Sequence, residues 1–492
     1  MRGGDAYASP RLSDAYSDIL KSTSWNQYNH NFNATLLQET AFNSNSAGAF
    51  ECWSSHYDRI RRENEFLRDA AEFGRKFGED WLKIRIAEVR FCRAYAYFML
   101  CRVYGGVILR TEVDGPEQND KARSTEEECW GFIINELKEL APDLPLKWDS
   151  DNSGRATQKA AYGLLSRVAL YAEKWDVAAQ AARDCATAEG NLDLSKNGYA
   201  KIFELGINSP EVLFAVEFKS SVIDHAYDAY VRPSGDTKEL GKQVYSGFVP
   251  TSELVDSYEM AGDGGNFSWE KHGKDPYANR EPRFYATILY NGADWMGRKI
   301  ESFVGGKDGY KAYENAGAAG TTVTGYYLRK YLIDGDKTWV TSGSGQDWIV
   351  LRYAEVLLNK AEALAMENWN KNSAEALQAL NDVRARVGLP ARATADKETF
   401  LEYVRHERKV ELAGEGFRYW DLRRWRLAEK VIDGQNVHGV KISKQSDGSF
   451  TYEQVDADGG HKRIFYDRYY RFAIPLSERS NNSLCTNNDG WI

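Results

Sequence analysis

Two stretches constrain the fold of this 492-residue chain more than anything else in it. Residues 158–172 and 175–186 each repeat apolar side chains at helical spacing, and only Glu173 and Lys174 separate them. So short a link predicts two helices folded back on one another. Ala160, Ala161 and Gly163 on one side and Ala178, Ala181 and Ala182 on the other let the two backbones approach closely, with Trp175 just after the turn. A second pair, 349–366 and 374–387, is split by the polar residues 367–373 and ended by Gly388 and Pro390. Two further helices are expected at 81–104, where Ile84, Ala87, Phe91, Tyr95 and Phe98 share a face, and at 125–140, closed by Pro142.

The pairs are of the tetratricopeptide kind, although the full consensus is not met and their spacing is not constant. The expected fold is mainly α, a tetratricopeptide-like scaffold of helical pairs with irregular loop-rich insertions and a few short β-hairpins. Residues 211–218 read as a short strand, and 440–455 alternate around Asp447-Gly448 as a hairpin. At this length two or three domains, or one repeat-built body with insertions, would be ordinary. The second is expected: one unit over 1–492, with scaffold at 53–187 and 348–425, ligand-binding insertions at 20–52 and 200–347, and a hairpin and tail at 436–492.

Several function classes fall away. A net charge of −9 disfavours a protein that tracks a nucleic-acid backbone. No apolar run approaches the roughly 20 residues of a membrane span. The six cysteines show no zinc spacing, and Cys92 and Cys101, on one predicted helix, stand too far apart to bridge. The seven histidines are dispersed, no Gly-rich phosphate loop or nucleophile elbow is present, and Asp263-Gly264-Gly265-Asn266 reads as a tight turn rather than a calcium loop. No metal, cofactor or catalytic residue is expected. The carboxylates Glu407, Glu411, Glu415 and Asp421 are the one tempting catalytic set, but arginines are interleaved with them, three residues from Glu411, Glu415 and Asp421 and next to Glu407. That spacing predicts an ion network on a helix face, with lowered carboxyl pKa values and no proton donor near neutral pH.

What remains is aromatic: 29 Tyr, 21 Phe and 14 Trp are more rings than a core needs. A site that stacks flat rings against a ligand and surrounds it with amides and charges is expected in two loop regions. The first supplies Trp25, Asn43, Asn45 and Phe50; the second supplies Trp269, Tyr277, Trp295 and Tyr313. Trp53, in helical register with Tyr57 and Ile60, belongs to the core.

A series of motifs in chain order resembles the SusD/RagB family. It runs EVRFCRAYAYFMLCRVYGGVIL (88–109), ATQKAAYGLLSRVALYAEKW (156–175), NSPEVLFAVEF (208–218), PTSELVDSYEMAGDG (250–264), NREPRFYATILYNGADW (279–295), WIVLRYAEVLLNKAEAL (348–364), LNDVRARVGLP (380–390), RHERKVELAGEGFRYWDLRRW (405–425) and FAIPLSERSNN (472–482). One departure lies at Gly105-Gly106-Val107-Ile108-Leu109, where many members carry a proline. The resemblance implies a lipid-anchored protein on the cell surface, seated on a SusC-like TonB-dependent transporter of the outer membrane. It also implies non-catalytic capture of a glycan on loops opposite the helices. The signal peptide and lipid-bearing cysteine of such proteins are not in this sequence. A RagB-like peptide binder, a glycoside hydrolase and a helical scaffold for a protein partner are the alternatives. A deep cavity with backbone-pairing groups would favour the first, and two unpaired carboxylates roughly 5–10 Å apart the second.

Overall fold

The helices form where sequence period and end signals agree. In this computed structural model, which describes residues 13–23, 42–115, 120–195, 197–262, 264–312 and 321–491, the first pair is α1 (Trp53–Phe73) and α2 (Glu79–Tyr104). Helix α3 (Glu126–Leu140) opens on a reciprocal cap: Thr125 accepts from the Glu128 N–H while Glu128 accepts from the Thr125 N–H. Such a cap is worth about 1 kcal/mol. The short link predicted after residue 172 is present between α4 (Gln158–Tyr171) and α5 (Trp175–Thr187), with Glu173 in the left-handed region at φ 56°.

Each helix packs on its sequence neighbour from α1 through α5, and α4 and α5 then pack on α6 (Tyr353–Arg386), so the two distant scaffold segments form one body. Its joints are lined by small residues: the predicted Ala178, Ala181 and Ala182 are buried, as are Ala179 and, on α6, Ala361, Ala376 and Ala379. At Gly163 a Cβ would lie 2.8 Å from Leu213 Cδ1, which explains the smallest residue there. Helix α6 breaks at Asn368, where φ is −164°, in the polar stretch expected to split the pair, and α7 (Lys397–Glu411) packs along it. The expected start of that pair at 349 is corrected. Trp348–Arg352 is a fully buried strand antiparallel to Val212–Val216, and the helix begins at Tyr353. An aromatic and β-branched run favours a pleated, buried setting over a helical first turn. The strand read at 211–218 and the hairpin at 440–455 are present, the latter as His438–Lys444 paired with Phe450–Asp456 around Gly448 at φ 86°. Trp53 is buried, as read.

The carboxylate-rich stretch is not a helix-face network. Only the Asp421–Arg424 pair is of the expected local kind, and Asp421 also meets Arg408, thirteen residues earlier. Glu407, Glu411 and Glu415 lie in the interior, paired with cations from distant segments. Arg283 bridges Glu281, Glu407 and Glu411 at 2.6–2.9 Å. Arg352, at the end of its strand, bridges Glu211, Glu411 and Glu415 at 2.6–2.9 Å. Arg384 ties Glu407 to Glu259, Arg386 ties Glu211 to Glu411, and Lys330 reaches Glu415. Burial alone would raise the Glu411 carboxyl; the guanidiniums of Arg386, Arg352 and Arg283 overcome it and hold that pKa well below the ordinary range. These groups are committed to one another.

Candidate functional site

The loop-rich segment between the two scaffold halves forms an open cleft of about 890 Å³, within the range of small-molecule sites. Its first wall is a tight hairpin. Beyond Val212–Val216 the chain reverses, Lys219 and Ile223 exchange backbone hydrogen bonds of 2.9 and 3.0 Å, and Ser221 at the tip takes φ 69°. The hairpin then docks on residues 342–346. His225 and Ser344 exchange backbone hydrogen bonds of 3.1 and 2.8 Å, the Ser221 N–H donates to Ser342 O at 3.0 Å, and Ser220 Oγ donates to Gly343 O at 3.0 Å. Gly343 takes φ 73°, a conformation that favours glycine, and its bare Cα leaves room for the Asp224 side chain, whose Cγ a Cβ there would approach to 2.4 Å. Asp224 lines the cleft, exposed and without a hydrogen-bond or ion-pair partner among the described residues.

The second wall is a tyrosine platform. Tyr245 N–H donates to Ala229 O at 2.7 Å, which lays the Tyr245 ring on Tyr230 with centroids 5.1 Å apart and planes 29° from parallel. Tyr245 is 43% exposed, so one ring is open to solvent while its partner backs it. The floor is Trp339, at the start of the short helix Trp339–Ser342. Beneath it runs a buried layer: the Arg232 guanidinium lies 5.2 Å from both the Trp339 and Trp295 rings, held by Asp228 at 2.8 Å and Asp236 at 3.4 Å. Lys242 Nζ donates to Trp339 O at 3.1 Å and Val340 O at 2.6 Å, so two of its three donors close a helix C-terminus.

The chemistry this lining offers is recognition. His225 lies near several hydroxyls but cannot serve as a base: Nε2 donates to Gln346 O at 2.9 Å and Nδ1 accepts from the Tyr227 N–H at 3.2 Å. Asp224 is the one carboxylate in the lining, and no group of three metal-ligating side chains occurs among the described residues.

None of the described residues singled out from the sequence lines this cleft. Three expectations are corrected. Phe50 is interior, stacked 5.3 Å from Tyr419 and packed on Phe42 and Phe472. Trp295 is fully buried over Arg232, its Nε1 donating to Asp236 at 3.0 Å. Tyr277 is buried among Phe284, Tyr290 and Tyr452. Trp269 is half-buried; its Nε1 donates to Asp256 at 2.9 Å, and its ring packs near Tyr452, so it shares a cluster with Tyr277. Asn43 and Asn45 are exposed, Asn43 Oδ1 accepting from the Asn45 N–H, and they face the tail through Leu476 N–H and Arg479. Trp25 and Tyr313 lie outside the described residues. Tyr230, Tyr245, Trp339 and Asp224 fall inside the insertion expected at 200–347 but carry no signal separating them from its other aromatics and acids.

Comparison with known proteins agrees with this architecture. The SusD family pattern matches residues 210–491, and a second, described as starch-binding associating with outer membrane, matches residues 4–170. A SusD-like protein of Bacteroides ovatus is 26% identical over 452 residues, covering 86% of this chain and 74% of that protein. A SusD-like protein of Bacteroides fragilis superposes with a TM-score of 0.82 at 27% identity, covering 98% of this chain and 94% of that one. A SusD-like carbohydrate binding protein of the same species superposes with a TM-score of 0.80 at 24% identity, covering 96% of this chain and 92% of that one.

Proposed function

This chain belongs to the SusD family, and from that premise we propose that it captures a glycan and delivers it uncleaved to a TonB-dependent transporter of the outer membrane. The observation that carries this reading is the exposed Tyr245 ring, backed by Tyr230 and facing a cleft lined by hydroxyls, an amide and one carboxylate. Sugars present apolar C–H faces and a rim of hydroxyls, and they need a flat ring beneath and polar groups around. A protein side chain or an extended peptide would ask instead for an apolar slot or an open strand edge.

Hand-over without cleavage is supported by the chemistry of the lining. Glycoside hydrolysis ordinarily needs two carboxylates flanking the bond, and the described cleft offers Asp224 alone. The acids nearest to catalytic composition, Glu407, Glu411 and Glu415, are sealed in the interior. No described helix is long and apolar enough to cross a membrane, and surface attachment through a lipid anchor belongs to the same proposal. The test is calorimetric titration against neutral and acidic oligosaccharides and peptides, with the same mixtures assayed for products. Binding of a glycan class without turnover is expected. A peptide hit alone, or any cleavage, overturns the reading.

A further inference from the structure

Resting on the glycan reading of the cleft, we propose that Asp224 determines which sugars it accepts. The two carboxylate oxygens take adjacent hydroxyls of one neutral ring seated on Tyr245, and the same charge turns away a ring bearing a carboxylate or sulfate at that position.

Three observations lead there. The backbone on both sides of this residue is fixed, by the hairpin at 219–223 and by the exchange between His225 and Ser344, and Gly343 leaves room for its side chain. Next, the carboxylate is uncommitted. Its neighbours in the lining already have partners: both His225 nitrogens are engaged by backbone, Lys242 spends two donors on Trp339 O and Val340 O, and Gln243 Nε2 donates to Val244 O at 2.6 Å. Asp224 alone among them has both acceptor oxygens available, and a carboxylate pair matches two adjacent O–H donors. Last, it shares one cleft with the only tyrosine ring among the exposed large hydrophobic side chains of the described residues. Stacking fixes the plane of a sugar ring but not which edge points where. A directional acceptor at one side of the platform fixes the edge.

The exclusion follows from the same charge. A carboxylate facing an anionic substituent repels it, and Lys242, tied to the helix end, has one donor left to offset this.

The test uses the whole chain, with maltohexaose and laminarihexaose as neutral probes and their sulfated derivatives as charged ones. Affinities are measured for the wild type, Asp224→Asn, Asp224→Ala and Tyr245→Ala, each checked for an unchanged melting temperature. A neutral probe should bind the wild type and bind Asp224→Asn about ten- to a hundredfold more weakly, the scale of charge-assisted hydrogen bonds lost. The sulfated form should bind the wild type more weakly than the neutral one, and Asp224→Asn should narrow that gap. If Tyr245→Ala abolishes binding while Asp224→Asn and Asp224→Ala do not alter it, or if the sulfated probe binds the wild type as well as the neutral one, the role of Asp224 is overturned and the platform stands. If neither Tyr245→Ala nor Asp224→Ala alters binding, or no neutral probe binds at all, the cleft is not the sugar site and both conclusions fall.

Discussion

The interior around Arg352 and the cleft beside Tyr245 use the same side chains to opposite ends. Around Arg352, carboxylates and guanidiniums are enclosed and mutually saturated: Glu411 alone meets Arg283, Arg352 and Arg386. At the cleft, Asp224 has no hydrogen-bond or ion-pair partner among the described residues, and Tyr245 shows a bare face. Composition does not mark function in this molecule, but commitment does. A charge whose valences are filled by the chain holds segments together, while one held in place and left unfilled is available to a ligand. Arg352 joins a strand to residues from Glu211 and from the Glu411–Glu415 turn, so its loss should be felt everywhere.

The largest effect expected is therefore on stability. Arg352→Ala leaves three buried carboxylates short of a partner, and removing one member of a buried pair typically costs about 3–5 kcal/mol. Equilibrium denaturation should show that loss in a cooperative midpoint, or no folded protein at all. A shift under about 1 kcal/mol would mean the interior charges are not what ties the segments together, and the contrast with the cleft would dissolve.

Asp256 is a middle case that sharpens the comparison. It is mostly enclosed yet, among the described residues, has no cation within ion-pair distance; one oxygen accepts the Trp269 indole N–H and the other has no partner there. Burial pushes its pKa from 3.8 up to about 6, with the indole and Arg280 opposing. The folded protein thus holds this proton to higher pH than the unfolded chain, so its contribution to stability is lost as pH rises from about 4 through about 6. Asp256→Asn keeps an acceptor for the indole and removes the charge. It should match the wild type near pH 4 and exceed it above pH 7 by about 1–3 kcal/mol, read from melting temperature against pH. Equal stabilities across that range would show that an enclosed acid here needs no cation.

The reverse pattern is expected at the platform. Tyr245→Ala should change stability by no more than about 0.5 kcal/mol, as for an ordinary surface site, while weakening a bound glycan about tenfold or more, the scale of an exposed aromatic anchor. Calorimetry and denaturation on the same sample decide it. A large stability loss would make Tyr245 a structural residue like Trp295.

How much of this was legible beforehand follows from the same distinction. The helical pairs, the strand at 211–218 and the Asp447-Gly448 hairpin were readable because their signals are local: a period, a small residue, a turn. The sealing of Glu407, Glu411 and Glu415 was not, since their partners Arg283, Arg352 and Arg384 come from segments whose meeting no spacing records. Trp295 and Tyr245 lie in similar loops, and what separates them is a buried guanidinium under the first and water over the second. Asp224 was invisible for a related reason. A lone acid carries no pattern, and its distinction rests on a glycine more than a hundred residues later in the chain.

The smallest effect tests whether enclosure, rather than geometry, sets the value of a pair. Arg167 and Glu355 form a two-pronged contact at 2.6 and 2.5 Å in the interior, and Arg183 and Glu375 form the same contact at 2.9 and 2.7 Å with side chains 38% exposed. Lys360 also reaches Glu375 at 2.8 Å, so the acid keeps a cation when Arg183 is removed. Arg183→Ala should cost less than about 1 kcal/mol, and less still in molar salt, because water and ions already solvate both partners. Arg167→Ala leaves Glu355 dry and should cost several-fold more, with little salt dependence. If the two substitutions cost the same, the pairing geometry itself carries the energy, and the unpartnered state of Asp224 would say less about its role than its position beside the tyrosine ring.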